Sequence, residues 1–262
     1  MTRIGIDEIS YRRGHWYMTV IVDHDTRRLI WARPKRDKAT VHTFFDDLGE
    51  ERVQALTHIT SDSAGWIADP VRRRAPRAIH CADPFHVVRW AGEALQDIRR
   101  DIWNEVRPRR GRNRMASGDG VPMRTALFAL RKDPPDWTER QAAAMAWVQI
   151  THPRLFRAWR LKEALRAVFR LRGATAIAAL DAWVAWARRS RLKEFVKVAR
   201  TITSHRTSID ACLITGMNNA LVESTNTKIR LIARRGYGFK NVHALIALTQ
   251  LSLGHHKPQL PT

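Results

Sequence analysis

RIGIDEISYRRGHWYMTVIVDHDTRRLIWAR, residues 3–33, is the stretch that decides the fold. Its opening, RIGIDEI (residues 3–9), is a short apolar run that predicts a strand. HWYMTVIVD (15–23) is rich in aromatic and β-branched types and predicts a second. Asp23-His24-Asp25-Thr26 is turn chemistry, and RLIWAR (28–33) returns as a third strand. Residues 15–33 therefore read as a hairpin beside a first strand.

Outward from this meander the pattern becomes α/β. Val41, Phe44, Phe45 and Leu48 stand at helical spacing between Thr40 and Leu48. QALTHITS (54–61) predicts a fourth strand leading into Asp62, Trp66 to Arg74 a short helix, and RAIHCA (77–82) a fifth strand ending at Asp83. From Phe85 a long amphipathic helix is predicted to about Val106, with Val88, Ala91, Leu95, Ile98 and Ile102 on one side. A three-strand meander followed by βα units is the ribonuclease H-like order, an analogy of fold and not of chemistry. Residues 107–120 (RPRRGRNRMASGDG) are polar, basic and glycine-containing and read as a flexible connection. Beyond them helices are predicted over 121–132, 138–150, 153–171, 174–189 and 191–203, with Thr138 and Gln141 spaced for a capping box. Trp137, Trp147, Trp159, Trp183 and Trp186 sit here at helical spacing, where large aromatics fill a core more often than they stack on nucleic acid. Helices at about 218–235 and 241–254 close the pattern, separated by Gly236-Tyr237-Gly238. The expected organisation is α/β: a ribonuclease H-like core with a mixed five-stranded sheet (1–106), an all-α insertion (107–212), and core completion over 213–262.

Charge narrows the function. Lys and Arg number 46 against 25 Asp and Glu, a formal net charge of +21 spread along the chain. Such a field attracts polyanions, nucleic acid first among them, although solvated basic helix faces from an arginine-rich composition give the same count. No run of about 18 uncharged apolar residues is present, so no transmembrane helix is expected. The opening MTRIGIDEIS carries acids where a signal peptide would be apolar, so the expected compartment is the cytoplasm. Cys81 and Cys212 are too far apart in sequence for a Cys-x-x-Cys zinc site, and no disulfide is expected.

Three acids attract notice. Asp7 follows Ile4-Gly5-Ile6 inside a predicted buried strand, where a carboxylate is costly unless paired or metal-bound; it reads as catalytic or as a strand-end turn cap. Asp62 closes the fourth strand, at the carboxyl end where α/β sheets gather function, or serves as N-cap of the next helix. Glu223 lies in MNNALVESTNTKIRLIARRGYGFKN (217–241), with Leu221, Ile229 and Ile232 on one helical face and Glu223, Asn226, Arg230 and Arg234 on another. It either makes surface ion pairs or provides the one acid among phosphate-binding amides and cations, with Lys228 and Arg235 as further phosphate contacts.

Together these neighbourhoods resemble the DDE transposases of bacterial insertion sequences, ISL-three type. The resemblance rests on Ile6-Asp7-Glu8 with Arg13-Gly14-His15-Trp16-Tyr17, and on Asp83-Pro84-Phe85-His86-Val87-Val88-Arg89, which looks like an Asp-x-Phe-His signature. The strongest part is C-terminal: Asn218-Asn219, Val222-Glu223, Asn226, Lys228-Ile229-Arg230, Arg234-Arg235 and Gly236-Tyr237-Gly238-Phe239. It implies the catalytic, metal-binding triad Asp7, Asp62 and Glu223, at intervals of 62 − 7 = 55 and 223 − 62 = 161 residues. It makes Asp83 and His86 an orienting signature pair, with Asp83 the chief rival to Asp62, and His86 otherwise a packed helix-face histidine. The implied DNA contacts are Asn219, Asn226, Lys228, Arg230, Arg234 and Arg235. The implied cofactors are two Mg²⁺ or Mn²⁺ ions per site, and the partners are transposon-end and target DNA at the bacterial nucleoid, bound by a homodimer or larger synaptic assembly. Relatives usually carry an N-terminal zinc ribbon and helix-turn-helix. Neither pattern is visible in this sequence, so the stretch is expected to be a truncated gene remnant, an excised core, or a chain whose end recognition comes from elsewhere. The expected activity is DNA cleavage and strand transfer; the alternatives are a hydrolysis-only nuclease of the same fold and a non-catalytic DNA-binding descendant.

Overall fold

A computed structural model of the chain describes residues 1–12, 14–62, 64–106 and 120–254. The connection expected at 107–120, apart from Gly120, and Arg13 of the N-terminal resemblance lie outside the described residues. The chain forms two compact units, Met1–His86 with His205–Thr262, and Val87–Ser204.

The first unit is built on a five-stranded sheet of order β3-β2-β1-β4-β5. Its strands are β1 (Arg3–Arg12), β2 (Trp16–Asp23), β3 (Arg28–Pro34), β4 (His58–Ser61) and β5 (Ile79–Ala82). β1 runs antiparallel to β2, which runs antiparallel to β3, while β1, β4 and β5 are parallel to one another. This is the ribonuclease H-like arrangement that the meander predicted. Period-two alternation divides β1 between two layers. Ile4 and Ile6 join Ile21, Ile59, Phe44 and Phe45 under helices α1 (Lys38–Leu48), α2 (Glu50–Gln54) and α3 (Gly65–Arg74). Ile9 faces the other way, with Met18, Val20 and Val22, against Val222, Ile229, Leu245 and Ile246. Those four belong to α11 (Ala220–Arg235) and α12 (Val242–Leu253). Asp37 starts α1 by accepting from the Thr40 amide at 2.8 Å.

Two elements differ from expectation. Residues 54–57 are not strand: Gln54 ends α2, whose first turn carries Glu50 and Glu51, and β4 begins at His58. Acids at a helix start favour that helix over an extended run. An additional helix, α10 (Arg206–Thr215), packs on β5 and buries Ile209, Cys212 and Leu213, so the sheet unit resumes at His205.

Among its described residues the second unit has helices and no strand: most of α4 (Pro84–Val106), then α5 (Gly120–Ala129), α6 (Glu139–Thr151), α7 (Pro153–Val168), α8 (Gly173–Arg189) and α9 (Lys193–Ser204). Thr138 and Gln141 form the expected capping box on α6. Of the five tryptophans, Trp159 and Trp183 are buried and Trp137, Trp147 and Trp186 half-buried. Trp183 donates to the Leu161 carbonyl at 2.8 Å and the half-buried Trp137 to that of Ala129 at 2.9 Å, whereas the buried Trp159 Nε1 has no acceptor among the described residues. No described helix is long and apolar enough to cross a membrane.

Candidate active site

Asp7 lies on β1 opposite Val20, on the face covered by α11. Its Oδ2 accepts from Asn226 Nδ2 at 2.9 Å, and the same amide reaches the Glu8 carbonyl at 3.5 Å. Burial, reinforced by the neighbouring charges of Glu8 and Asp83, pushes the Asp7 carboxyl up to about 7, against opposing contributions from a backbone hydrogen bond at Glu8 and from His86. Glu8 points to the other side and pairs with Arg36 at 3.0 Å.

Asp62 follows β4 directly. Its neighbour Ser61 donates to the Asp62 carbonyl at 2.8 Å and contacts His80 Nε2 at 2.7 Å. With the hydroxyl proton committed, His80 must be the donor to Ser61. Burial and the charge of His205 lower the His80 pKa to about 4, so the ring stays neutral there. Asp83 follows β5 and is almost fully buried at the start of α4. His86, in the first turn of α4, stands between the two acids: Nδ1 lies 2.9 Å from Asp83 Oδ2 and Nε2 3.4 Å from Asp62 Oδ2. Asp83 also accepts from the Phe85 amide at 3.4 Å. Its side chain retains 4% exposure against 18% for Asp62, so Asp62 is the more open carboxylate.

Glu223 is in the first turn of α11 and exposed. Partial burial and then the charge of Asp83 raise its pKa, while His86 and Arg230 act in the opposite sense. The structure thus gathers Asp62, Asp83 and His86 into one contact chain and places Asp7 and Glu223 within the electrostatic reach of Asp83 and His86. Among the described residues, no three acid, histidine or cysteine side chains stand at the separations of a bound metal. The donor chemistry nevertheless fits a hard divalent cation, because oxygen ligands predominate and two of the carboxyls are held above their ordinary range, first by burial and then by neighbouring negative charge. Asn226 Oδ1, on the amide that holds Asp7, is a further buried oxygen with no partner among the described residues.

The amides of Asn219 and Asn226, expected on the nucleic-acid face, are turned inward. Helix α11 buries Val222, Thr225, Asn226 and Ile229, so Asn226 belongs to its packed side. Asn219 is fully buried: it accepts from Thr60 Oγ1 at 2.8 Å and donates to the Ile6 carbonyl at 3.3 Å. Thr60 Oγ1 in turn lies 2.8 Å from His24 Nε2, which must be the donor because the hydroxyl proton goes to Asn219. This polar chain ties the start of α11 to β1 and β4. Gly5 completes the joint: a Cβ there would lie 2.4 Å from Val222 Cγ2 and 2.9 Å from Thr60 Oγ1. Lys228, Arg230, Arg234 and Arg235 are all exposed. Sequence reasoning missed Gly5, Thr60, His24 and His80; a lone glycine inside a strand pattern was the available signal for close backbone approach.

The family model described as a transposase, of the ISL3 DDE type, matches residues 4–249. The transposase for insertion sequence element IS1557 of Mycobacterium tuberculosis, in two strains, is 51% identical over 276 aligned positions, which cover 100% of this chain and 62% of the relative. The transposase for insertion sequence element IS1001 of Bordetella parapertussis is 25% identical over 240, covering 91% of this chain and 57% of that protein. The chain therefore spans about three fifths of the length of the curated relatives it matches.

Proposed function

Because the chain belongs to the ISL3 family of DDE transposases, we propose that it performs phosphoryl transfer on DNA, strand cleavage followed by strand transfer, with Asp7, Asp62 and Glu223 as its catalytic acids. The observation that supports this reading is the contact of Asp62, at the end of β4, with the Asp83–His86 pair, and the electrostatic influence of that pair on Asp7 of β1 and on Glu223 in the first turn of α11. Bound to Asp7, Asp62 and Glu223, two Mg²⁺ or Mn²⁺ ions would stabilise the charge developing on the attacking and leaving oxygens of an in-line displacement.

The protein's own part is positioning. Asn226 fixes one Asp7 oxygen. Asp83 spends its carboxylate on the start of α4 and on His86 Nδ1, which directs Nε2 at Asp62. That commitment favours Asp62 over Asp83 as the acid open to the reaction, although it is the Asp83 charge that acts on both Asp7 and Glu223. Lys228, Arg230, Arg234 and Arg235 give α11 an exposed cationic side for DNA phosphates. Water attacks first and frees a 3′-hydroxyl at the element end; that hydroxyl then attacks target DNA and displaces a second 3′-oxygen. We place the reaction in the bacterial cytoplasm at the nucleoid, within a dimer or larger assembly on DNA.

The test is cleavage and joining of labelled DNA in Mg²⁺ or Mn²⁺ by wild type and by Asp7→Asn, Asp62→Asn, Asp83→Asn and Glu223→Gln, with DNA binding measured separately. Loss of reaction with binding intact at Asp7, Asp62 and Glu223, and partial activity at Asp83, is the expected pattern. Full loss at Asp83 with activity at Asp62 would exchange their roles. Wild type that binds DNA but never reacts would reduce the chain to a DNA-binding protein.

A further inference from the structure

The turn between α11 and α12 has no part in the chemistry above, yet it is built with care. Gly238 N donates to the Ala233 carbonyl at 2.8 Å and Tyr237 N to that of Arg234 at 3.0 Å. These are the paired bonds of a Schellman cap, whose left-handed residue is ordinarily glycine. Here that residue is Tyr237, at φ 51°. A side chain in this conformation is unfavourable by roughly 1–2 kcal/mol relative to the right-handed one. The ring recovers nothing by packing, since Tyr237 is fully exposed at 101%. Phe239 braces the turn from behind: a Cβ on Gly236 would lie 2.9 Å from its ring. Arg234, Arg235 and Lys240 surround the tip, are exposed, and have no carboxylate partner among the described residues.

We propose that Tyr237 is a stacking platform for an unpaired nucleobase of DNA lying along α11, an inference that rests on the DNA reading above. The cations select an anionic partner, and a flat ring free on both faces selects a flat one. A strand of nucleotides has both properties, and only an unpaired base has a face to offer, because bases in a duplex are covered by their neighbours. The same helix carries Glu223, 237 − 223 = 14 residues earlier. At about 1.5 Å per residue the ring stands about 20 Å from that acid, or about six nucleotides of stacked strand.

The experiment compares wild type, Tyr237→Gly and Tyr237→Phe for binding to a labelled blunt duplex and to the same duplex with a single-stranded gap, together with their melting temperatures. The expected result is tighter wild-type binding to gapped DNA, lost about ten-fold in Tyr237→Gly and kept in Tyr237→Phe, with duplex binding unchanged. Tyr237→Gly should also melt about 2–4 °C higher, because glycine suits the cap; a merely structural tyrosine would not lose binding while gaining stability. Unchanged gapped-DNA binding by Tyr237→Gly overturns the proposal, as does a change confined to self-association, which would make the ring a protein contact. Wild type that binds neither DNA removes the DNA reading itself, an outcome distinct from failure at Tyr237 alone.

Discussion

Asp7 is a half-buried carboxyl whose one direct side-chain partner among the described residues is a neutral amide, and its proton follows from its burial. Its folded pKa of about 7 lies above the ordinary 3.8, so the folded state binds more protons than the unfolded chain between those values. Stability attributable to this group is therefore complete below about pH 4 and is lost as pH rises through 7. In metal-free buffer Asp7→Asn should raise the free energy of unfolding at pH 8, by about 2–4 kcal/mol at most, and leave it unchanged near pH 4. Equal effects at both pH values in thermal melts would show that ionisation of Asp7 is not what strains the fold. At this scale the sequence showed which residue types were unusual, an acid among Ile4, Gly5 and Ile6, but not where amides point. Asn219 and Asn226 look alike beside Glu223 in the chain, and only the packing of α11 on β1 turns both inward.

Helix α11 is set on the sheet by a joint with no spare volume. Gly5 gives way to Val222, and Asn219 bridges Thr60 and Ile6 beside it. Gly5→Ala should cost about 1–3 kcal/mol by overpacking and displace the first turn that carries Glu223. Adding Val222→Ala should return part of that stability in urea unfolding, and strict additivity of the two changes would rule out the contact as the cause. Strands β1, β2 and β3 were legible because apolar, aromatic and β-branched composition and turn chemistry agree. The helix at Arg206–Thr215 was not: its sequence mixes Thr, Ser and Ile, poor helix formers, and its signal reduces to Ile209, Cys212 and Leu213 at helical spacing. The start of β4 was misread because Gln54 and Ala55 suit either state, and the acids that begin α2 precede the apolar residues that drew attention.

The sheet unit is assembled from two distant stretches of chain, the helical unit from one. A fragment of residues 1–86 would expose Ile9, Met18, Val20 and Val22 where α11 and α12 belong. It should lack a cooperative thermal transition, while residues 87–204 alone should show helical circular dichroism and melt cooperatively. Cooperative melting of the 1–86 fragment would mean that the far segment is an accessory and not part of the core. The passage from strands to helices only was legible as a change of period, whereas the limits of the two units depend on which helix packs on which layer, information that lies in tertiary contacts.

The bond between Asn226 and Asp7 joins residues 219 positions apart. At about 5–20 residues per second, synthesis takes between about 10 and 45 s to supply the amide after the acid has emerged. Throughout that interval β1 and β2 have an uncovered apolar face, and the nascent chain has one end of its acid cluster but no Glu223. Every chain that stops short of α11, by premature termination or proteolysis, is left in that condition permanently. Synthesis of α11 thus sets the timing, and no chain that stops short of it holds Asp7, Asp62 and Glu223 together.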